Sequence, residues 1–132
     1  MIRRFVQHST RIKRPLDLES IRQIQKTPCD QHNIVYQPLD FHLELGISAN
    51  FFDGTMPLNG LRLKPESDTC GWYLWAGEDL SQADNFFQAM HVYHLVEHQS
   101  SVLQYLALPP GWRFLTNGIY EDIWFDATLL EQ

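Results

Sequence analysis

Leu108-Pro109-Pro110-Gly111-Trp112-Arg113-Phe114-Leu115-Thr116-Asn117-Gly118-Ile119-Tyr120-Glu121-Asp122-Ile123-Trp124-Phe125-Asp126 reads as a β-hairpin behind a stop signal. Two prolines and a glycine end any preceding helix, and Asn-Gly between runs of strand-forming residues is the strongest short-range turn signal. A two-residue turn at Asn117-Gly118 pairs Thr116 with Ile119, Leu115 with Tyr120, Arg113 with Asp122 and Trp112 with Ile123. One face then carries Trp112, Phe114, Ile119, Ile123 and Phe125, interrupted only by Glu121, and is expected to face the core. The other carries Arg113, Leu115, Tyr120, Asp122 and Trp124, with Arg113 and Asp122 expected as a cross-strand ion pair. A mixed aromatic and charged face suits a partner surface, and it equally suits a face covered by a helix or by the N-terminal segment.

Outward from the hairpin, Gly71-Trp72-Tyr73-Leu74-Trp75-Ala76-Gly77-Glu78-Asp79 repeats the pattern of aromatics followed by acids, with a strand expected over 72–76. All four tryptophans fall in these two blocks. Phe41-His42-Leu43-Glu44-Leu45-Gly46-Ile47 alternates strictly and predicts a half-buried strand. Leu61 to Lys64 and Ile34 to Tyr36 are shorter strand candidates. Residues 17–26 predict a helix with apolar Leu18, Ile21 and Ile24, acids in its first turn and Lys26 in its last, ended by Thr27-Pro28. A helix is expected over 82–98 and a shorter one from Ser100 through Leu106. The sum is an α+β fold, an antiparallel sheet of five to six strands with two to three helices and a C-terminal hairpin at 111–125. One domain over 1–132 is expected, with 1–14 a basic, flexible N-terminal segment.

Composition bounds the function. The chain has 132 residues, 44% apolar and 20% charged, enough for a core without metal or disulfide support. No run approaches the roughly 18 apolar residues of a membrane span. The basic start, Met1 to His8, has no apolar stretch of the secretory type. Cys29 and Cys70 lack metal or redox spacing and suit a reducing compartment, so the cytoplasm is expected. The net charge of −6 is unevenly spread: seven basic and two acidic residues lie up to Lys26, against three basic and fourteen acidic beyond it. From Pro65 onward Arg113 is the only positive side chain. Such a field attracts cationic proteins and repels nucleic acid, unless the basic N-terminus folds back and cancels it.

Candidates for chemistry are few. His91, His94 and His98 would share one face of the expected helix and could serve a metal-dependent enzyme, but the HExxH pair is missing. No Rossmann, P-loop or GxSxG spacing occurs. No catalytic residue, metal ligand or cofactor is expected.

The stretches Gly71–Glu78, His91–Leu95, Leu108–Leu115 and Tyr120–Asp126 resemble bacterial immunity proteins of polymorphic-toxin systems, the thirty-third immunity class, over about residues 60–127. The resemblance implies a small α+β protein that neutralises a secreted toxin by binding it, with no catalysis of its own. Glu78, Asp79, Tyr120, Glu121, Asp122, Trp124 and Asp126 are the expected partner-binding residues, and a basic toxin the expected partner, with neither nucleic acid nor membrane. A metal-dependent enzyme built on the histidine row, or a non-catalytic adaptor module, is the alternative.

Overall fold

The computed structural model describes residues 2–5, 17–98 and 100–131. Seven strands form one sheet: β1 (Ile2–Phe5), β2 (Glu44–Ser48), β3 (Leu58–Arg62), β4 (Thr69–Ala76), β5 (Phe87–His91), β6 (Trp112–Thr116) and β7 (Tyr120–Phe125). Their spatial order is β1-β7-β6-β3-β4-β2-β5. The α+β class holds. The sheet is not wholly antiparallel, because β2 runs parallel to β4. The chain leaves β2, makes the hairpin partner β3, and returns through β4 alongside β2.

The helix expected at 17–26 is α1, Leu18–His32. Asp17 caps it by accepting from the Ser20 amide at 2.7 Å, satisfying an otherwise orphan N–H. Pro28 does not end it. That residue is buried inside the helix, which runs on until Asn33 takes the left-handed conformation at φ 55° and closes it. Ile34 to Tyr36 form no strand; Gln37 makes a single backbone bond to Ala107.

The helix expected over 82–98 is divided. Residues 87–91 form β5, which pairs with β2 from Ser48–Phe87 to Glu44–His91, and only α2 (Val92–Glu97) is helical. The aromatic and apolar residues of β5 complete the edge of β2, and this tertiary pairing overrides the local pattern. Ser101–Tyr105 is a 3-10 helix, a tighter form of the helix expected there, and Ala127–Glu131 forms another.

The hairpin keeps its expected faces but not its register. Trp112 pairs with Phe125, Arg113 with Trp124, Phe114 with Ile123 and Thr116 with Glu121, two residues displaced from a two-residue turn. The cause is Asn117, whose side-chain oxygen accepts the Ile119 and Tyr120 amides at 2.9 and 3.0 Å. This side-chain turn takes the place of the tighter backbone turn. Side chains alternate with period two, so a slip of two leaves the paired strand residues on their faces. Ile119, now in the turn, and Phe125, at the strand's end, are exposed and not in the core as expected.

On the first face, Leu45, Ile47, Leu58, Trp72, Leu74, Phe114 and Ile123 pack with Cys29, Leu95, Tyr105, Leu106 and Leu108 from the overlying segments. Arg62 lies within this core, 2% exposed. Its Nε donates to the Cys70 carbonyl at 2.9 Å, and Nη1 to the Leu108 and Gln37 carbonyls at 2.8 and 3.2 Å. The guanidinium also stands 6.0 Å from the Trp72 ring centroid, and burial lowers its pKa. The Trp72 indole N–H donates to Leu106 O at 3.0 Å, tying the same strand to the same overlying segment.

Arg62→Ala leaves three carbonyls without their donor and opens space beside Trp72. It is expected to cost at least about 3 kcal/mol in denaturant unfolding. Arg62→Lys should recover little of it, because an ammonium cannot reproduce the planar fork. A loss under about 1 kcal/mol for Arg62→Ala would contradict this role.

Candidate functional site

The second face of the sheet differs in character. Leu61, Trp75 and Leu129 form a small buried cluster there, with Leu63, Tyr73, Phe86 and Phe87 packed around it. Between this cluster and solvent runs a groove of about 580 Å³. Leu61, Leu63 and Tyr73 supply its floor, Leu80 to Asp84 and Phe87 one wall, and Arg113, Asp126, Thr128 and Leu129 the other.

Each wall has a definite origin. Gly77, at φ 98°, ends β4 in a conformation that favours glycine and turns the chain off the sheet. Asn59 fixes this exit: its Nδ2 donates to the Gly77 carbonyl at 2.8 Å, while the Gly77 amide bonds to Pro57 O. The exposed Glu78 and Asp79 immediately precede Leu80 on this wall. Phe87 then anchors the wall's far end, stacked edge-on against Tyr73 (centroids 5.1 Å apart) and Phe86 (4.8 Å).

The opposite wall is polar and tightly bonded. Asp126 accepts from the Thr128 hydroxyl at 2.6 Å and amide at 3.1 Å, and its other oxygen accepts from Arg113 Nη1 at 3.2 Å. The Thr128 hydroxyl first, and then Arg113, hold this carboxyl below the usual carboxylate range. Arg113 also stands over the Trp124 ring at 5.3 Å from its centroid, so Trp124 adjoins the groove through the guanidinium. The expected Arg113–Asp122 pair is thus replaced by Arg113–Asp126, because the two-residue slip sets Arg113 opposite Trp124.

Of the residues expected to bind a partner, Tyr120, Trp124 and Asp126 lie on or beside this face, and Glu78 and Asp79 extend its facing wall. Two are placed otherwise. Glu121 is 1% exposed on the first face, where it accepts a hydrogen bond from the Tyr105 hydroxyl. Asp122 is 5% exposed. The backbone of β1 accounts for their neighbourhood: it pairs with β7 so that Arg3 stands opposite Asp122 and Arg4 opposite Glu121. Residues 6–14 of the basic segment lie outside the described residues. Asp84, Phe87 and Thr128 also belong to the groove but were not singled out in the sequence, since Asp84 and Phe87 fell inside the expected helix.

The histidine row is divided with that helix. His91 ends β5 and stacks on Tyr93 at 5.4 Å, His94 bonds Glu97 at 3.1 Å, and His98 stacks on Phe52 at 4.3 Å. Among the described residues, no three His, Cys, Asp or Glu side chains gather where they could hold a metal ion. Cys29 and Cys70 are buried thiols whose pKa values burial raises, the opposite of nucleophile activation. No described helix is long and apolar enough to cross a membrane.

A carboxyl held below its ordinary range stabilises the fold at pH values above the unfolded carboxyl's pKa, about 3.9. That contribution is lost as pH falls through the lower folded-state value. Asp126→Ala should therefore melt below the parent at neutral pH, with the gap narrowing as pH falls below the unfolded carboxyl's pKa. Melting curves showing a constant gap across this range would contradict it.

Comparison with known proteins adds one finding. The family model described as the Imm33-like domain matches residues 24–126. No curated protein matches the chain, and no solved structure does.

Proposed function

The chain belongs to the Imm33-like family of immunity proteins, and on that premise we propose that it binds and neutralises a cognate secreted toxin through the groove of its second sheet face. The observation that carries this reading is the groove's composition. An apolar and aromatic floor lies between Asp126 on one wall and Asp84 on the other, with Glu78 and Asp79 on the approach. The core of a binding patch is commonly apolar and aromatic with a charged rim, and this surface follows that plan.

Electrostatics favours a basic partner. After Pro65 the only Lys or Arg is Arg113, which is already bonded to Asp126, so that part of the described surface is dominated by carboxylates. Such a field speeds the encounter with a cationic protein. The action is stoichiometric occlusion of the toxin's active site, without catalysis by this chain. The cytoplasm is its place of action, and a toxin acting there, such as a nuclease or a nucleotide-consuming enzyme, is the natural target.

Association with the product of the neighbouring toxin gene tests this. Glu78→Lys with Asp79→Lys should slow association several-fold at low salt and flatten its salt dependence, leaving the melting temperature unchanged. Trp124→Ala should weaken binding by about 2 kcal/mol, mainly through faster dissociation. Unchanged association and dissociation rates in both variants would remove this face from the account.

A further inference from the structure

β5 is the last strand at one end of the sheet, and among the described residues nothing pairs with its outer edge. The direction of its free groups follows from the ladder. The Val92 amide donates to Leu43 O at 2.9 Å, so the alternation of an antiparallel pair turns the backbone groups of Met90 and Gln88 toward β2. Those of Phe87, Ala89 and His91 point outward. Gln88 and Ala89 are both exposed.

Natural edge strands are usually protected by lysine, proline, an inward charge or a bulge. Phe87-Gln88-Ala89-Met90-His91 has no lysine, proline or acid, and its pairing to β2 runs without a register shift. The wider stretch Asn85–Val96 contains no Asp, Glu, Lys or Arg in a chain of net charge −6. A cationic toxin finds no electrostatic complement along this edge. A second copy of the chain meets no like-charge repulsion there, although acidic residues would oppose such contact over much of the remaining surface.

The segment is also self-complementary. Antiparallel pairing of two β5 strands about Ala89 sets Ala89 opposite Ala89, Phe87 opposite His91 and Gln88 opposite Met90. The outward groups of Phe87, Ala89 and His91 then all meet their counterparts as hydrogen-bonded pairs. Phe87 stands beside an imidazole, and the methionine stem covers the glutamine. We propose that two copies of this protein associate edge to edge through β5, joining their sheets into one. This rests on the strand edge and not on the toxin-binding reading.

Sedimentation equilibrium of the full chain from micromolar to millimolar concentration reads the result directly. The mass should rise from 15.5 kDa toward twice that value. Ala89→Pro removes the outward amide at the centre of the pairing while sparing the bonds to β2, and should abolish the rise without changing the melting temperature. Ala89→Glu keeps the backbone donor but sets two carboxylates face to face. It should weaken association by about tenfold or more, and it decides the matter if the proline variant does not fold. A parent chain that stays at 15.5 kDa throughout overturns the proposal, including one that changes mass only when toxin is added. So does a folded variant of either kind that associates as strongly as the parent.

Discussion

Among the described residues one buried cation, Arg62 of β3, ties together β4, the segment after α1 and the segment before β6. The Arg62 guanidinium is buried against three carbonyl acceptors, which offset part of the cost of taking a charge out of water. The acceptors are carbonyls from β4, from the segment after α1, and from the segment before β6. The same residue's backbone extends the link. Its carbonyl accepts the Gly111 amide at 2.7 Å, and Gly111's carbonyl accepts the Asp126 amide at 2.7 Å. The carboxylate on the groove wall is therefore two backbone hydrogen bonds from the centre of the core.

This arrangement divides the labour of the sheet. Its first face is closed by α1, the 3-10 helix at 101–105 and the apolar run through Leu108, and there even the polar Glu121 and Gln25 are hydrogen-bonded. Among the described residues, the second face is covered by the loop after β4 and the 3-10 helix at 127–131. The groove lies between these two. Asn59 fastens one wall at Gly77 and Arg113 the other at Asp126, so a surface assembled from loops still holds the Asp126 carboxylate in a defined geometry. Holding side chains in place before contact lowers the ordering cost of binding. That is how the fold would serve the inhibitory role proposed for it.

Legibility in the sequence followed the range of the interactions. The hairpin's faces were readable from Trp112 to Phe125 because period-two alternation survives a slip of two. Its register was not, because the Asn117 side chain, and not the backbone alone, makes the turn. The stretch 87–91 looked helical because its strand character depends on β2, some forty residues earlier. The burial of Arg62 was not readable, since nothing local announces three carbonyls converging on it. The groove was half readable. Asp126 and Glu78-Asp79 stood out beside their aromatics, but Asp84, Phe87 and Leu129 join them only through tertiary packing. Glu121 and Asp122 were the misleading members, because an acidic pair on a strand suggests a surface and these two are buried beside the pairing of β7 with β1.

The central claim is that the second sheet face, and not the face covered by α1, receives the toxin. Amide hydrogen exchange of the protein alone and in its complex measures this most directly, because protection reports which backbone a partner covers or stabilises. The account predicts new protection over the loop from Glu78 to Phe87 and over Asp126 to Leu129, with α1 unchanged. Protection confined to α1 and the segment Ser101–Tyr105, or none on mixing with the toxin, would contradict it.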